Sequence, residues 1–316
     1  MFHCKFGLIF LFIVLYAGNI FALGSKQDTQ DHTPQHHEDF SQLNGQTDEN
    51  RAEQVIKTLA AAYPHQIESV EFRNGDWALL LRGKWYYYAG GRMLPENLLS
   101  DAAKYSRQAL YNYPTELPPW KKPSPEEAER FKNTAINRNS SKTQRSNHFF
   151  DDLWRIHNSD EAFQRVKTIR FLGKNILVHY LILEEIALVE EDILTAAKKD
   201  AKVQAWIDGT DRVEAWNWRT IADTQNRSYH SYGLAIDILP KSLGGKETYW
   251  LWTMHKRSDW WNVSYNERFH PPDAVIKAFE KYGFIWGGKW RIYDTMHFEY
   301  RPELFLLSGL EVETRR

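Results

Sequence analysis

The sequence predicts an α+β chain: a small antiparallel sheet with flanking helices, preceded by a mixed helical and hairpin N-terminal region. Three observations carry this. Asn74-Gly75-Asp76 separates two apolar runs, a pattern that favours a primed hairpin turn. Residues 175–201 interleave Glu and Lys among Leu and Ile at helical spacing. After Gly209 the texture turns to short aromatic and β-branched segments, with an amphipathic helix over 273–282 closed by Gly283.

In chain order, Lys5 precedes an apolar run over 6–17. As a helix it would rise only about 18 Å, short of a hydrocarbon core of about 30 Å. It reads as a secretory signal over 1–22, cut after Ala22, with no stable membrane insertion afterwards. The single cysteine, Cys4, lies inside it, so the mature chain has no disulfide, no thiol nucleophile and no cysteine zinc ligand. Residues 23–50 are polar and read as a linker, with His32, His36 and His37 solvated.

Residues 51–165 form the expected accessory region. A helix over 51–63 leads to the hairpin 70–72 and 77–81, and a turn at Arg82-Gly83-Lys84 to an aromatic strand at 85–88. Cross-strand packing, rather than glycan binding, is the expected use of those rings. Prolines make 113–125 an extended connector, and 137–147 is a polar break. Helical patterns resume over 149–170, before the second domain, 166–316, with a long helix expected over 175–201. His179, inside its apolar run, reads as a satisfied core histidine. Strands are expected at 213–221, 233–239 and 290–300.

Lys and Arg number 40 against 41 Asp and Glu, which offers no electrostatic reason for nucleic acid or an anionic membrane as partner. Nine of the 13 Trp fall between Trp206 and Trp290, so the second half holds a dense core or a groove. The aromatic-rich stretch 249–261 either walls a cleft or packs beneath a long loop.

Two stretches carry chemistry: 228–237 (Ser-Tyr-His-Ser-Tyr-Gly-Leu-Ala-Ile-Asp) and 294–300 (Asp-Thr-Met-His-Phe-Glu-Tyr). His230 and Asp237 are seven apart, so on one unbroken strand they would face opposite ways. A turn at Gly233 lets them converge, and Ala235, on the face of Asp237, leaves room for an ion. His297 and Glu299 share a strand face, with Asp294 on the approach. Imidazole and carboxylate together suit Zn2+, and a nearby free carboxylate adds the proton acceptor that metal-assisted hydrolysis needs.

The first stretch resembles, position for position, the Ser-x-His-x-x-Gly-x-Ala-x-Asp motif of the D-alanyl-D-alanine carboxypeptidase (VanY-type) zinc peptidases. The second is similar to the group's acidic-x-x-His closing motif. His-Phe-Glu and the lead-in over 282–290 resemble the L-alanyl-D-glutamate endopeptidase, endolysin-like branch. The likeness covers roughly 205–305. It implies a zinc-peptidase core in 166–316, with His230, Asp237 and His297 as zinc ligands and Asp294 as general base. Ser228 would touch substrate. Glu299 would support a ligand, with general base as its rival role. An arginine upstream of the motif would stabilise the oxyanion: Arg219 is the choice, with Arg212 and Arg227 as alternatives. The function implied is an exported zinc metallopeptidase acting on peptidoglycan stem peptides. An inactive wall-binding module on the same fold is the second reading. A purely structural zinc is the third, and would need a fourth protein ligand such as His255 or His270.

Overall fold

Helix α1 (Asp48–Ala62) opens the residues that the computed structural model describes, 48–137 and 143–313. The expected signal and all but the last three residues of the expected linker lie outside them. Those three, Asp48 to Asn50, form the first turn of α1. The helix buries Ala52, Val55, Ile56 and Leu59, the spacing of one helical face.

An antiparallel meander follows: β1 (Ile67–Arg73), β2 (Asp76–Leu81), β3 (Lys84–Tyr87) and β4 (Leu94–Pro95), in that order. Its first two turns, Asn74-Gly75 and Arg82-Gly83, have positive φ at both residues, as the primed turn requires. Tyr86 and Tyr87 are fully buried, so the aromatic strand packs. β5 (Tyr105–Ser106) then runs parallel to β6 (Gln144–Arg145), across the connector and α2 (Pro125–Ile136), which a Ser124–Glu127 capping box starts.

After α3 (His148–Trp154) and α4 (Ser159–Arg165), the hairpin β7 (Val166–Phe171) and β8 (Lys174–His179) overturns part of the expected long helix. Only α5 (Leu183–Ala197) is helical there, and α6 (Ala201–Gly209) follows separately. The turn is Leu172-Gly173, with φ of 46° and 77°. Leucine carries no turn signal, and holding it left-handed costs about 1–2 kcal/mol. Tertiary packing meets that cost: Leu172, Phe171, Ile176 and Val178 are all buried.

The site-bearing sheet has the order β11-β12-β10-β9, all antiparallel. Its strands are β9 (Thr210–Glu214), β10 (Ala235–Pro240), β11 (Phe284–Trp286) and β12 (His297–Tyr300). Helix α7 (Trp250–Met254) and helix α8 (Asp273–Lys281) lie in the long connection after β10, and α9 (Pro302–Leu307) ends the fold. As expected, α8 is closed near Gly283, which sits at φ 86°. Two expected strands are shorter than the sequence suggests. Residues 215–221 leave the sheet because their backbone bonds the motif loop and β8 instead: Trp216 N–H donates to Leu177 and Asn217 N–H to His230. Residues 290–296 form a loop, with Ile292 and Tyr293 buried beside Trp250 and Trp260.

One hydrophobic cluster runs from Val55 and Leu59 of α1 to Phe298 and Leu304. Phe298 stacks on Phe279 of α8 with ring centroids 4.0 Å apart. No helix of the described residues is long and apolar enough to cross a membrane.

Candidate metal centre

Strand register places two of the three expected ligands. Asp237 and His297 are direct partners across the antiparallel pair β10–β12, so their side chains share one face. His297 Nδ1 lies 2.9 Å from Asp237 Oδ1. His230 arrives from a short 3-10 turn, Tyr229–Tyr232, that Ser228 caps by accepting the His230 N–H. Gly233 ends that turn at φ 69°, where a Cβ would sit 2.9 Å from the backbone nitrogen of His179. Only glycine meets both demands. The ligand atoms of His230, Asp237 and His297 lie within 4.8 Å of one another, and all three residues are buried.

The donor set fits a zinc-type ion. His230 Nδ1 lies 2.5 Å from the Ala215 carbonyl, which can only accept, so Nδ1 carries a proton and the neutral ring presents its lone pair at Nε2. That Nε2 is buried with no hydrogen-bond partner, 3.2 Å from Asp237 Oδ2. A lone pair facing a carboxylate oxygen is repulsive unless a cation lies between them. Neither His255, which is exposed, nor His270, which packs on Trp286, joins the group. Among the described residues the cluster therefore offers three ligands, the number that leaves a position open to water.

The surrounding charges support this. Burial opposes ionisation of His297, yet hydrogen bonds to Asp237 and to Glu299, 3.1 Å from Nε2, carry its pKa up to about 10. Burial also opposes the Asp237 charge, and the two imidazoles outweigh it, holding that carboxyl well below its usual range. A bound ion would take the place of the shared proton. Behind His297, Glu299 accepts from Arg301 at 3.0 Å, and Arg301 also holds Glu303 and the Ala109 carbonyl, 2.7 Å away. Tyr63, just past α1, donates to Glu303 at 2.6 Å. Glu299 thus links His297 to Arg301.

Asp294 lies in the loop before β12. Three apart on one strand, Asp294 and His297 would face opposite ways; the loop lets both line one cavity. Asp294 Oδ1 is buried without a partner, and burial together with the Asp237 charge pushes its pKa up to about 8. A carboxyl poised there can both take and return a proton near neutrality. Arg219 is exposed on the loop after β9, not on a strand, and lines the same cavity. Ser231 fixes its backbone, accepting the Arg219 N–H at 2.9 Å and donating to its carbonyl at 2.7 Å. Arg212 also reaches the cavity but pairs with Glu214 at 2.8 Å. Arg227 is bound to Asp151, stacks on Trp218 and is absent from the lining.

The cavity measures about 340 Å3 and also takes in Ser228, Tyr249 and Trp252. The stretch 249–261 divides between its two alternative expectations: Tyr249 and Trp252 line the cavity while Trp260 packs in a hydrophobic cluster. His179 is a satisfied core histidine, bonded to Trp154 and Leu181. Sequence reasoning missed Tyr63, Arg145, Glu214, Ser231, Arg301 and Glu303. For Arg301 a signal existed, since His297, Glu299 and Arg301 alternate along one extended segment. Glu214 stands opposite Asp237 in β9, and only the register shows it.

Residues 222–300 match the family model described as D-alanyl-D-alanine carboxypeptidase. This part of the chain is thus similar to that family. The carboxypeptidase-family match holds Ser228, His230, Asp237, Asp294, His297 and Glu299, and stops short of Arg219. Residues 55–109 match the model of a domain of unknown function. The buried network links the two matched segments: Tyr63 and Ala109 of the second bond Glu303 and Arg301, just past the first, and Arg301 bonds Glu299 inside it. Neither the curated proteins nor the solved structures yield a match.

Proposed function

We propose that this chain is an exported zinc metallopeptidase that hydrolyses peptide bonds in bacterial peptidoglycan stem peptides, as a D-Ala-D-Ala carboxypeptidase or an L-Ala-D-Glu type endopeptidase. One observation carries the proposal. Within a carboxypeptidase-family domain, His230, Asp237 and His297 converge in a buried cluster whose His230 Nε2 has no partner. The N-terminal apolar run supports export. His230, Asp237 and His297 would hold the ion, with Glu299 orienting His297 through its other ring nitrogen.

When bound, zinc supplies Lewis acidity toward a carbonyl oxygen and lowers the pKa of water. The side chains do the rest. Asp294 accepts a proton from the attacking water and returns it to the departing amine nitrogen. Arg219, on the rim, faces the oxygen on which negative charge develops. Both groups are intact, which favours a working site over an inactive binding module.

Two measurements test this on the purified mature chain. Metal analysis should find about one zinc, removable by chelator with loss of activity. A metal-free yet active hydrolase would overturn the reading. Digestion of muropeptides, with products identified by mass, separates the two bonds: release of terminal D-Ala marks the carboxypeptidase, and scission after L-Ala the endopeptidase.

A further inference from the structure

The cavity lining includes four arginines, Arg145, Arg212, Arg219 and Arg301. Three have an assignment. Arg301 is saturated by Glu299, Glu303 and the Ala109 carbonyl. Arg212 is paired with Glu214. Arg219 lies close enough for its charge to act on Asp294 and makes one long bond, 3.4 Å, to the Thr220 carbonyl. Arg145 differs from all of these. It belongs to β6, outside the carboxypeptidase-family match, and its backbone N–H is fixed by Asn226 Oδ1 at 2.8 Å, two residues before Ser228.

Its position is held, but its guanidinium is not engaged. The side chain is half-buried in the cavity wall and forms no hydrogen bond or ion pair among the described residues. Glu299, an acid whose charge acts on Arg145, is already taken by His297 and Arg301. Burial lowers the Arg145 pKa, as expected for a cation withdrawn from water without a full counter-charge. Such a group gains most from an anion delivered by the ligand, and a planar guanidinium matches a carboxylate in a two-pronged bond.

We propose that Arg145 is a specificity residue that anchors a free carboxylate of the peptide substrate while the scissile amide lies at the metal centre. The cavity is small enough, about 340 Å3, that one short peptide spans both points. The proposal rests on the peptidase reading above and names the substrate feature it selects. Stem peptides offer that chemistry at the C-terminal carboxylate and at the α-carboxylate of a γ-linked D-Glu. Both sources are one chemistry, and the experiment separates them.

The test measures calorimetric Kd on the full mature, metal-loaded chain, with Asp294→Asn present to stop turnover. The probes are L-Ala-γ-D-Glu-L-Lys-D-Ala-D-Ala, its C-terminal amide, and its D-isoglutamine form. Arg145 should favour the acid over one of the two neutralised forms by roughly tenfold to a hundredfold. Arg145→Gln should abolish that preference, and Arg145→Lys, which also serves should the Gln variant fail to fold, should restore part of it. Whichever neutralisation matters identifies the carboxylate. Equal affinity for all three peptides, or a preference that survives Arg145→Gln, overturns the proposal. Hydrolysis by the wild-type chain is scored in parallel. If no peptide is cut while the Arg145-dependent preference persists, the peptidase reading fails and the carboxylate site stands.

Discussion

The two walls of the cavity are assembled by different rules. The wall that holds His230, Asp237 and His297 comes from neighbouring strands and one turn, and strand register alone makes Asp237 face His297. The adjoining part of the lining gathers Arg145, Ala109 and Arg301, with Tyr63 and Glu303 behind, from residues separated by as much as 240 positions. The first wall has a motif because its chemistry is local. The second has none, since each of its residues is fixed by a different long-range contact. Substitutions on the first wall should therefore act on the chemical step, and those in the Tyr63–Glu303–Arg301 network of the second on how firmly the site is held.

The largest effect should come from Asp294→Asn. It should keep the metal and lower kcat by about 10²–10⁴-fold, because an amide cannot accept the proton. Parallel loss of zinc would make Asp294 a ligand. The same variant changes stability in the chelated protein. The Asp294 carboxyl is raised above its unfolded value to about 8 by burial and by Asp237, so the folded state keeps a proton that the unfolded state loses. Its contribution is thus fully present at pH below about 4 and is lost as pH rises toward 8. Denaturant melts at pH 5 and pH 8 should show a smaller drop in Asp294→Asn than in wild type. An unchanged drop assigns the proton to another group.

Arg219→Lys comes next, with kcat falling about a hundredfold and KM moving less, since lysine keeps the charge but loses the planar fork. Near wild-type turnover here, with a large loss in Arg212→Lys, would move the oxyanion role to Arg212.

The smallest effect tests the second wall. Tyr63→Phe removes the donor to Glu303 and leaves Arg301 less firmly held. Zinc affinity, read by chelator competition, should fall by roughly tenfold with KM unchanged. A stability loss of about 1–3 kcal/mol should accompany it, because Glu303 is left buried with one partner fewer. Unchanged zinc affinity alongside lost stability would reduce the network to packing, and the contrast between the walls would weaken.

Some of the architecture is readable from short segments. Asn74-Gly75 announces its hairpin because asparagine and glycine tolerate the left-handed backbone that a primed turn needs. Leu172-Gly173 makes the same turn without a signal, so the sequence of β7 and β8 resembles parts of helical stretches. The apolar alternation of Ile176 and Val178 fits either state until the partner strand is known. The strand expected at 213–221 fails for a related reason. Residues 215–217 have strand-like side chains, but their backbone partners are His230 and Leu177, which no local pattern reveals.

By itself the sequence determined that His230, Gly233, Asp237 and His297 stand at the spacing by which a turn and a strand pair can bring two imidazoles and a carboxylate together. Tertiary structure alone decided that Asp294 leaves the strand, that Glu299 is clamped by Arg301, and that Arg145 enters the cavity with no ion pair among the described residues. Spacing encodes which face a side chain takes along its own element. Which distant charge neutralises it depends on chain crossings, and these are settled only when the core closes.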